Sequence, residues 1–148
     1  HYLNIADLKT GALFGASAGI GALIGDGSPE EVSALYNYGR AVGVAFQIRD
    51  DIMDLTGNGN SSKQERANLV LAHYLGDTAR QDRMTQILDH NENKSDPTDA
   101  LRQKAVDFAR RASAEYVQKA KSEIAALRDG DGKAALEELA TFALERQA

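Results

Sequence analysis

Three aspartates, Asp50, Asp51 and Asp54, stand close together in the mostly apolar stretch 46–54, which reads FQIRDDIMD. On an α-helix, which advances about 100° per residue, these three residues share one face with Gln47. Apolar residues border that face on both sides: Phe46, Met53 and Val42 on one, and Val44, Leu55, Ile48, Ala41 and Ile52 on the other. A surface helix normally has one broad polar face, so this narrow acidic stripe is expected to line a cleft inside the protein.

The chemistry of such a stripe is the binding of a cation. Two carboxylates about 6 Å apart, at an effective dielectric constant near 20, repel each other by roughly 3 kcal/mol. Oxygen ligands on a rigid helix suit Mg²⁺, which keeps several waters and takes one or two carboxylates together with substrate phosphates. The alternative is a solvated acidic patch with Arg49 and Arg40 as its partners; the apolar borders favour the metal site.

Other reactive groups are few. The chain has no cysteine, which excludes a disulfide framework, a thiolate nucleophile and a zinc finger. His1, His73 and His90 are too dispersed to form a metal-binding pair. Lys9 and Thr10 lie in an apolar segment, and two interpretations of Lys9 stay open: an aliphatic stem that packs while its ammonium reaches water, or a cation that faces a phosphate-bearing cleft.

Helical periodicity runs along the whole chain, and no segment has the pattern of a strand. Apolar residues predict helices over about 1–25, 29–55, 63–75, 78–88, 97–127 and 133–146. Ser28, Pro29 and Glu31 form the signature of a capped helix start. Gly11, Gly15 and Gly19 repeat every four residues in the first helix. Because each costs roughly 1 kcal/mol against alanine, they predict either close contact with another helix or room for a ligand chain. The predicted fold class is all-α.

Composition limits the remaining possibilities. The 148 residues fit one globular domain, and the net charge of −5 offers no basic surface for nucleic acid. The uncharged segment 11–25 is shorter than the roughly 20 residues of a membrane span. The absence of cysteine suits a reducing, cytoplasmic setting. The chain begins with His1 inside a periodic segment, so we expect it to be part of a longer polypeptide.

Two motifs together resemble a known family. Residues 9–14, KTGALF, followed about 32 residues later by FQIRDDIMDL at 46–55, are similar to the second half of trans-polyprenyl diphosphate synthases, which include the farnesyl and geranylgeranyl diphosphate synthases. The resemblance covers residues 1–56. It implies an isoprenoid synthase-type helical bundle, with residues 1–148 as the C-terminal part of a single all-helical domain. It also implies a homodimer that elongates an allylic diphosphate with isopentenyl diphosphate through a carbocation.

The resemblance assigns a role to each residue of both motifs. It implies that Asp50 ligates Mg²⁺ and that Asp51 and Asp54 bind it through water or orient it. Among the catalytic residues, it implies that Lys9 contacts the allylic diphosphate and that Thr10 faces the developing cation. The last of them, Gln47, would serve both the diphosphate and the cation.

The chain also departs from the family pattern. The family's first Asp-rich motif lies upstream of its Lys-Thr helix, and this chain has no second Asp-Asp pair. Where the family has a mobile loop with a Gly-Lys pair, this chain has the turn-forming segment 57–62, so that loop is either lost or missing from the sequence. We therefore expect the isolated chain, without its N-terminal half, to be inactive. Two alternatives remain: a non-catalytic partner subunit, or a terpene cyclase on the same scaffold.

Overall fold

The structure is a computed structural model that describes residues 2–56 and 97–145. Its regular elements are α1 (Tyr2–Ala6), a π-helical turn (Asp7–Gly11), α2 (Ala12–Ile24), α3 (Pro29–Thr56), α4 (Pro97–Glu123) and α5 (Asp131–Glu145). All of these are helical, so the predicted all-α class is confirmed for the described residues. The predicted helices 63–75 and 78–88, the loop 57–62, and the three histidines lie outside them.

The segment predicted as one helix over 1–25 is an α-helix interrupted by a π-helical turn. In this turn the backbone N–H of Ala12 donates to the carbonyl oxygen of Asp7, five residues earlier. Five of the six buried residues along the segment are Tyr2, Ala6, Gly11, Gly15 and Gly19, whose four-residue spacing becomes five within the turn; the sixth is Ala22. A π turn holds one residue more than an α turn. The turn therefore keeps all five residues on the face that meets α3.

The buried glycines allow the first segment and α3 to approach very closely. A Cβ atom built on Gly39 would lie 2.4 Å from the carbonyl oxygen of Phe14, and one built on Gly43 would lie 2.8 Å from the Cα of Gly11. Nonbonded heavy atoms do not come so near, so a side chain at either position would force the two helices apart. The glycine repeat thus serves contact with another helix, the first of the two predicted explanations.

Five large apolar residues of the first segment lie on its other side, whereas Tyr2 is buried and Phe14 packs against the core. Leu8, Leu13, Ile20, Leu23 and Ile24 are between 55% and 79% exposed. The face with the smallest side chains is the one that permits the close approach, and the bulky residues are consequently left outside. Apolar periodicity predicted the helix correctly, but the buried face is the glycine face. Among the helices of residues 2–56 and 97–145, none combines the length and the apolar composition of a membrane span.

The central element is α3, which contacts every other described helix. Its residues Val44, Ile48 and Ile52 are buried against α1 and α4. Tyr38 and Val42 belong to a second buried cluster with α4 and α5. The predicted cap is present at its start, because the Ser28 N–H donates to Glu31 Oε2 at 2.8 Å and the Glu31 N–H donates to Ser28 Oγ at 3.2 Å. This helix carries the acidic stripe, and its burial on two sides holds the stripe in place.

The C-terminal helices differ slightly from the predicted bounds. The predicted end of α4 was near Leu127, whereas the helix ends at Glu123. The Lys133 ammonium donates to the carbonyl oxygens of Ala125 and Leu127 at 2.9 and 3.1 Å, which satisfies carbonyls that a longer helix would otherwise have used. α5 begins two residues before the predicted Lys133, at Asp131.

Candidate functional site

A continuous series of side-chain hydrogen bonds joins the first segment to the acidic stripe on α3. The Thr10 hydroxyl donates to Gln47 Oε1 at 2.6 Å, and Gln47 Nε2 donates to Asp51 Oδ1 at 3.0 Å. The Tyr2 hydroxyl donates to the other carboxylate oxygen, Asp51 Oδ2, at 2.7 Å. The structure therefore brings together Thr10, Gln47 and Asp51, three residues that the sequence singled out, and adds Tyr2.

Gln47 is the most deeply placed member of this network. The residue is only 7% exposed, so both ends of its side-chain amide need hydrogen-bond partners. Its oxygen accepts from Thr10 and its nitrogen donates to Asp51. Because a carboxylate can only accept, the nitrogen must face Asp51. The amide orientation is thus set by its two neighbours.

Burial changes the acidity of the two groups at the end of the network. Desolvation raises the pKa of Asp51, and the nearby Asp54 raises it further, while hydrogen bonds from Tyr2 and Gln47 and the charge of Lys9 oppose the rise. Burial also raises the pKa of the Tyr2 hydroxyl, as does the adjacent charge of Asp51. Tyr2 therefore stays a proton donor at neutral pH. An ionised Asp51 is costly in this site, and a bound cation would relieve that cost.

Lys9 lies next to this network, in the π-helical turn. Its side chain is exposed, and its charge lowers the pKa of Asp51. Both interpretations of Lys9, a packed stem and a cation that faces a phosphate-bearing cleft, stay predictions. Lys9 and Thr10 are adjacent in the chain, so the same turn positions both.

The other two acids, Asp50 and Asp54, are partly exposed on the same helix. Their apolar borders are buried at Ala41, Val42, Val44, Ile48 and Ile52, while Phe46, Met53 and Leu55 are partly exposed. The predicted narrow acidic stripe is therefore present. Across residues 2–56 and 97–145, no three His, Cys, Asp or Glu side chains converge as a complete metal centre.

Arg40 does not neutralise the acidic stripe, the alternative that the sequence left open for it. Its guanidinium donates to both carboxylate oxygens of Asp7, with Nε at 3.0 Å from Oδ1. The pair borders a cavity of about 440 Å³ that no residue of the acidic stripe lines. Neither Asp7 nor Tyr2 was singled out from the sequence. A π turn has no sequence signature, so neither contact could be found from helical spacing.

Comparison with known proteins gives the class to which this fold and site belong. Residues 1–124 match the model of the polyprenyl synthetase family. The chain belongs to that family, as the two motifs predicted.

Relatives agree with this assignment. The short chain isoprenyl diphosphate synthase of Methanothermobacter thermautotrophicus is 31% identical, over 99% of this chain and 49% of that protein. The geranylgeranyl diphosphate synthase of Methanosarcina mazei is 27% identical, over 99% of this chain and 48% of its own. The chain thus spans about half the length of the curated relatives it matches.

Solved structures of polyprenyl synthases share the fold. The enzyme from Roseobacter denitrificans has a TM-score of 0.78 at 28% identity, over 99% of this chain and 52% of that one. The enzyme from Caulobacter crescentus, complexed with calcium and isoprenyl diphosphate, has a TM-score of 0.77 at 29% identity, over 99% of this chain and 49% of that one. The all-α isoprenoid synthase fold predicted from the motifs is therefore confirmed.

Proposed function

We propose that this chain forms one side of the active site of a Mg²⁺-dependent prenyl diphosphate synthase, a transferase that elongates an allylic diphosphate with isopentenyl diphosphate. The observation that carries the proposal is the hydrogen-bonded series from Thr10 through Gln47 to Asp51, with Lys9 beside it. Family membership supports the reaction class. The names of the relatives, isoprenyl and geranylgeranyl diphosphate synthases, support the substrates.

The acidic stripe fits Mg²⁺ as its metal. This ion binds through one or two carboxylates and completes its shell with water and phosphate oxygens, so it does not need a full protein cage. Both oxygens of Asp51 already accept hydrogen bonds, which suits contact through water, as we also propose for Asp54. Asp50 is the candidate for a direct bond. Bound there, Mg²⁺ would supply positive charge to a diphosphate leaving group. The Caulobacter relative was crystallised with calcium and isoprenyl diphosphate together.

The remaining residues act on the organic substrate. We place the ammonium of Lys9 on the allylic diphosphate, with the Gln47 amide next to it. When the bond between the allylic carbon and the diphosphate breaks, positive charge develops on the carbon. The Thr10 hydroxyl and the Gln47 amide are dipoles whose orientation is fixed by hydrogen bonds, so they can face this charge without rearranging. The allylic diphosphate thus loses its own diphosphate, the π bond of isopentenyl diphosphate forms a new carbon–carbon bond to the cation, and loss of a proton from the resulting carbocation gives the elongated allylic diphosphate.

The site needs a second side. The chain covers about half of each relative named above, and its one acidic stripe offers too few ligands to hold a diphosphate with its metals. We propose that the N-terminal half of the same domain supplies the opposing Asp-rich motif, and that the complete protein is a homodimer. Residues 1–148 alone would then be inactive.

Substitution of Asp50 in the complete protein, comprising this chain and its N-terminal half, tests the proposal. Asp50→Ala should lower Mg²⁺-dependent incorporation of isopentenyl diphosphate by at least about 100-fold. The matched control is Asp107→Ala, because Asp107 is an exposed aspartate on α4. Circular dichroism confirms that both variants are folded.

Each other outcome identifies a different protein. Unchanged activity of Asp50→Ala would contradict the catalytic role and indicate a non-catalytic partner subunit. Cyclic hydrocarbon products formed without incorporation of isopentenyl diphosphate would indicate a terpene cyclase.

A further inference from the structure

The π-helical turn determines which way Lys9 and Thr10 face. On one side of the turn Tyr2 donates to Asp51, and at the turn itself Thr10 donates to Gln47. An α turn in place of the π turn would rotate one side of the segment against the other by about 100°. Tyr2 and Thr10 could then not both meet α3. The network of the candidate site therefore depends on this turn.

The two residues that flank the π turn do not explain why it forms. π-helical turns are rare and occur mostly as single turns within α-helices, often at functional sites. Neither of the residues that flank the turn has a side-chain cap, and both have ordinary right-handed helical angles. Apart from its neighbours in the chain, α1 and α2, the turn packs against α3.

The Asp7–Arg40 ion pair makes that contact. Asp7 is the first residue of the turn, and its carbonyl accepts the hydrogen bond that defines it. Its carboxylate accepts two hydrogen bonds from the Arg40 guanidinium, whose planar fork fixes the direction of the pair. The Asp7 side chain is only 18% exposed, and that of Arg40 is 42% exposed. The pair is thus partly shielded from water and ties the start of the turn to α3.

Two glycines create the space in which the pair lies. A Cβ atom on Gly11 would lie 2.6 Å from Asp7 Oδ1, and one on Gly15 would lie 2.5 Å from Arg40 Cγ. The carboxylate therefore rests over one glycine and the arginine stem over the other. Any larger residue at these two positions would displace the ion pair, so the glycine repeat serves the pair as well as the helix contact.

From these contacts we infer that Asp7 and Arg40 are positioning residues, which hold the π-helical turn so that Lys9 and Thr10 face the acidic stripe. This inference rests on the proposed function for its catalytic consequence, but the geometry of the turn can be tested without it. In this role, neither Asp7 nor Arg40 needs to touch substrate. Both act through Lys9 and Thr10.

The first test measures the turn directly in the complete protein, by amide hydrogen exchange of residues 8–12. Arg40→Ala should raise the exchange of these amides while leaving that of α4 unchanged. The control is Arg110→Ala. Arg110 is an exposed arginine whose ion pair with Asp107 is long, at 3.9 Å, so its loss should change little. Equal exchange in Arg40→Ala and in the control would overturn the inference, whatever reaction the protein catalyses.

The second test asks whether Arg40 acts through Thr10. Arg40→Ala should lower kcat for prenyl transfer by between about 10-fold and 100-fold, the loss expected from a misplaced catalytic group. Thr10→Val should lower kcat in the native background but add little in the Arg40→Ala background, because the hydroxyl is already misplaced. Losses that multiply would show that the two residues act independently and would overturn the inference. A native protein without transferase activity would refute the proposed function alone, and the exchange experiment would still decide the role of the pair.

Discussion

At the scale of single residues, Gln47 connects the structure to the proposed chemistry. It is buried, and each end of its amide has one side-chain partner. The Thr10 hydroxyl therefore satisfies the Gln47 oxygen, in addition to the role that we propose for it in the reaction. The structural effect is measured as a change in stability when the hydroxyl is removed and the shape of the side chain is kept.

We predict that Thr10→Val destabilises the complete protein by about 1–3 kcal/mol, because the buried Gln47 oxygen loses its donor while the volume of the side chain is kept. Thr10→Ser retains the hydroxyl and should cost less. Urea denaturation of both variants gives the comparison. Equal unfolding free energies for the two would show that the hydrogen bond contributes nothing.

The sequence singled out four of these residues, whose roles in the reaction stay predictions. Lys9, Thr10, Gln47 and Asp51 were recognised because each belongs to a motif with a fixed spacing. Tyr2 and Asp7 were not, because their roles depend on a π-helical turn. That turn changes which residues share a helix face, and no pattern of residue types predicts a π-helical turn.

At the scale of elements, the contact of the first segment with α3 is set by backbone proximity. Apolar periodicity predicted each described helix to within a few residues, since tertiary contacts there agree with local preference. It could not predict the buried face of α2. A periodic pattern of large apolar residues normally marks the buried face of a helix. Here the buried face consists mainly of glycines, and large apolar residues are exposed.

Two glycine substitutions test this explanation. Gly39→Ala should destabilise the protein by about 1–3 kcal/mol, because its Cβ would lie 2.4 Å from the Phe14 carbonyl oxygen and backbone cannot yield as a side chain can. Gly21→Ala should instead stabilise it by about 0.5–1 kcal/mol, since nothing lies within 4 Å of the added Cβ and alanine favours a helix. Thermal unfolding of both variants measures the difference. A stabilising Gly39→Ala would refute the close contact.

A second contact between elements should depend on pH. The Tyr38 hydroxyl on α3 donates to the carbonyl oxygen of Leu136 on α5 at 2.7 Å. Burial raises the pKa of Tyr38 from 10.0 to about 12. Between these two values the unfolded chain loses the proton and the folded chain keeps it. Stability from this group is therefore complete below pH 10 and falls as the pH rises to about 12.

The comparison of Tyr38→Phe with the native protein isolates this effect. At pH 8 the variant should be less stable by about 1 kcal/mol, because it lacks the hydrogen bond. Above pH 10 the difference should shrink, since only the native protein has this tyrosine to ionise. Chemical denaturation at a series of pH values follows the difference, and a constant gap up to pH 12 would contradict the raised pKa.

At the scale of the whole molecule, the chain has the fold of a polyprenyl synthase and about half the length of its relatives. The aligned stretch of 160 residues with the Methanothermobacter relative is longer than the 148-residue chain, so that relative has residues with no counterpart here. This agrees with the departure noted at 57–62, although the position of the difference stays a prediction. The motifs of residues 1–56 could predict the family, but not the groups that we propose complete the site.

The last prediction concerns those groups. Residues 1–148 alone should show no measurable prenyl transfer with Mg²⁺ and both diphosphates, because a single acidic stripe cannot neutralise a leaving diphosphate. Addition of the separately produced N-terminal half should restore turnover, and its restoration should be lost when that half carries alanines in its Asp-rich motif. Incorporation of labelled isopentenyl diphosphate into extractable product is the measurement. Turnover by the 148-residue chain alone would show that the acidic stripe, Lys9 and the Thr10–Gln47 pair suffice for the reaction, and the proposed second side of the site would then be wrong.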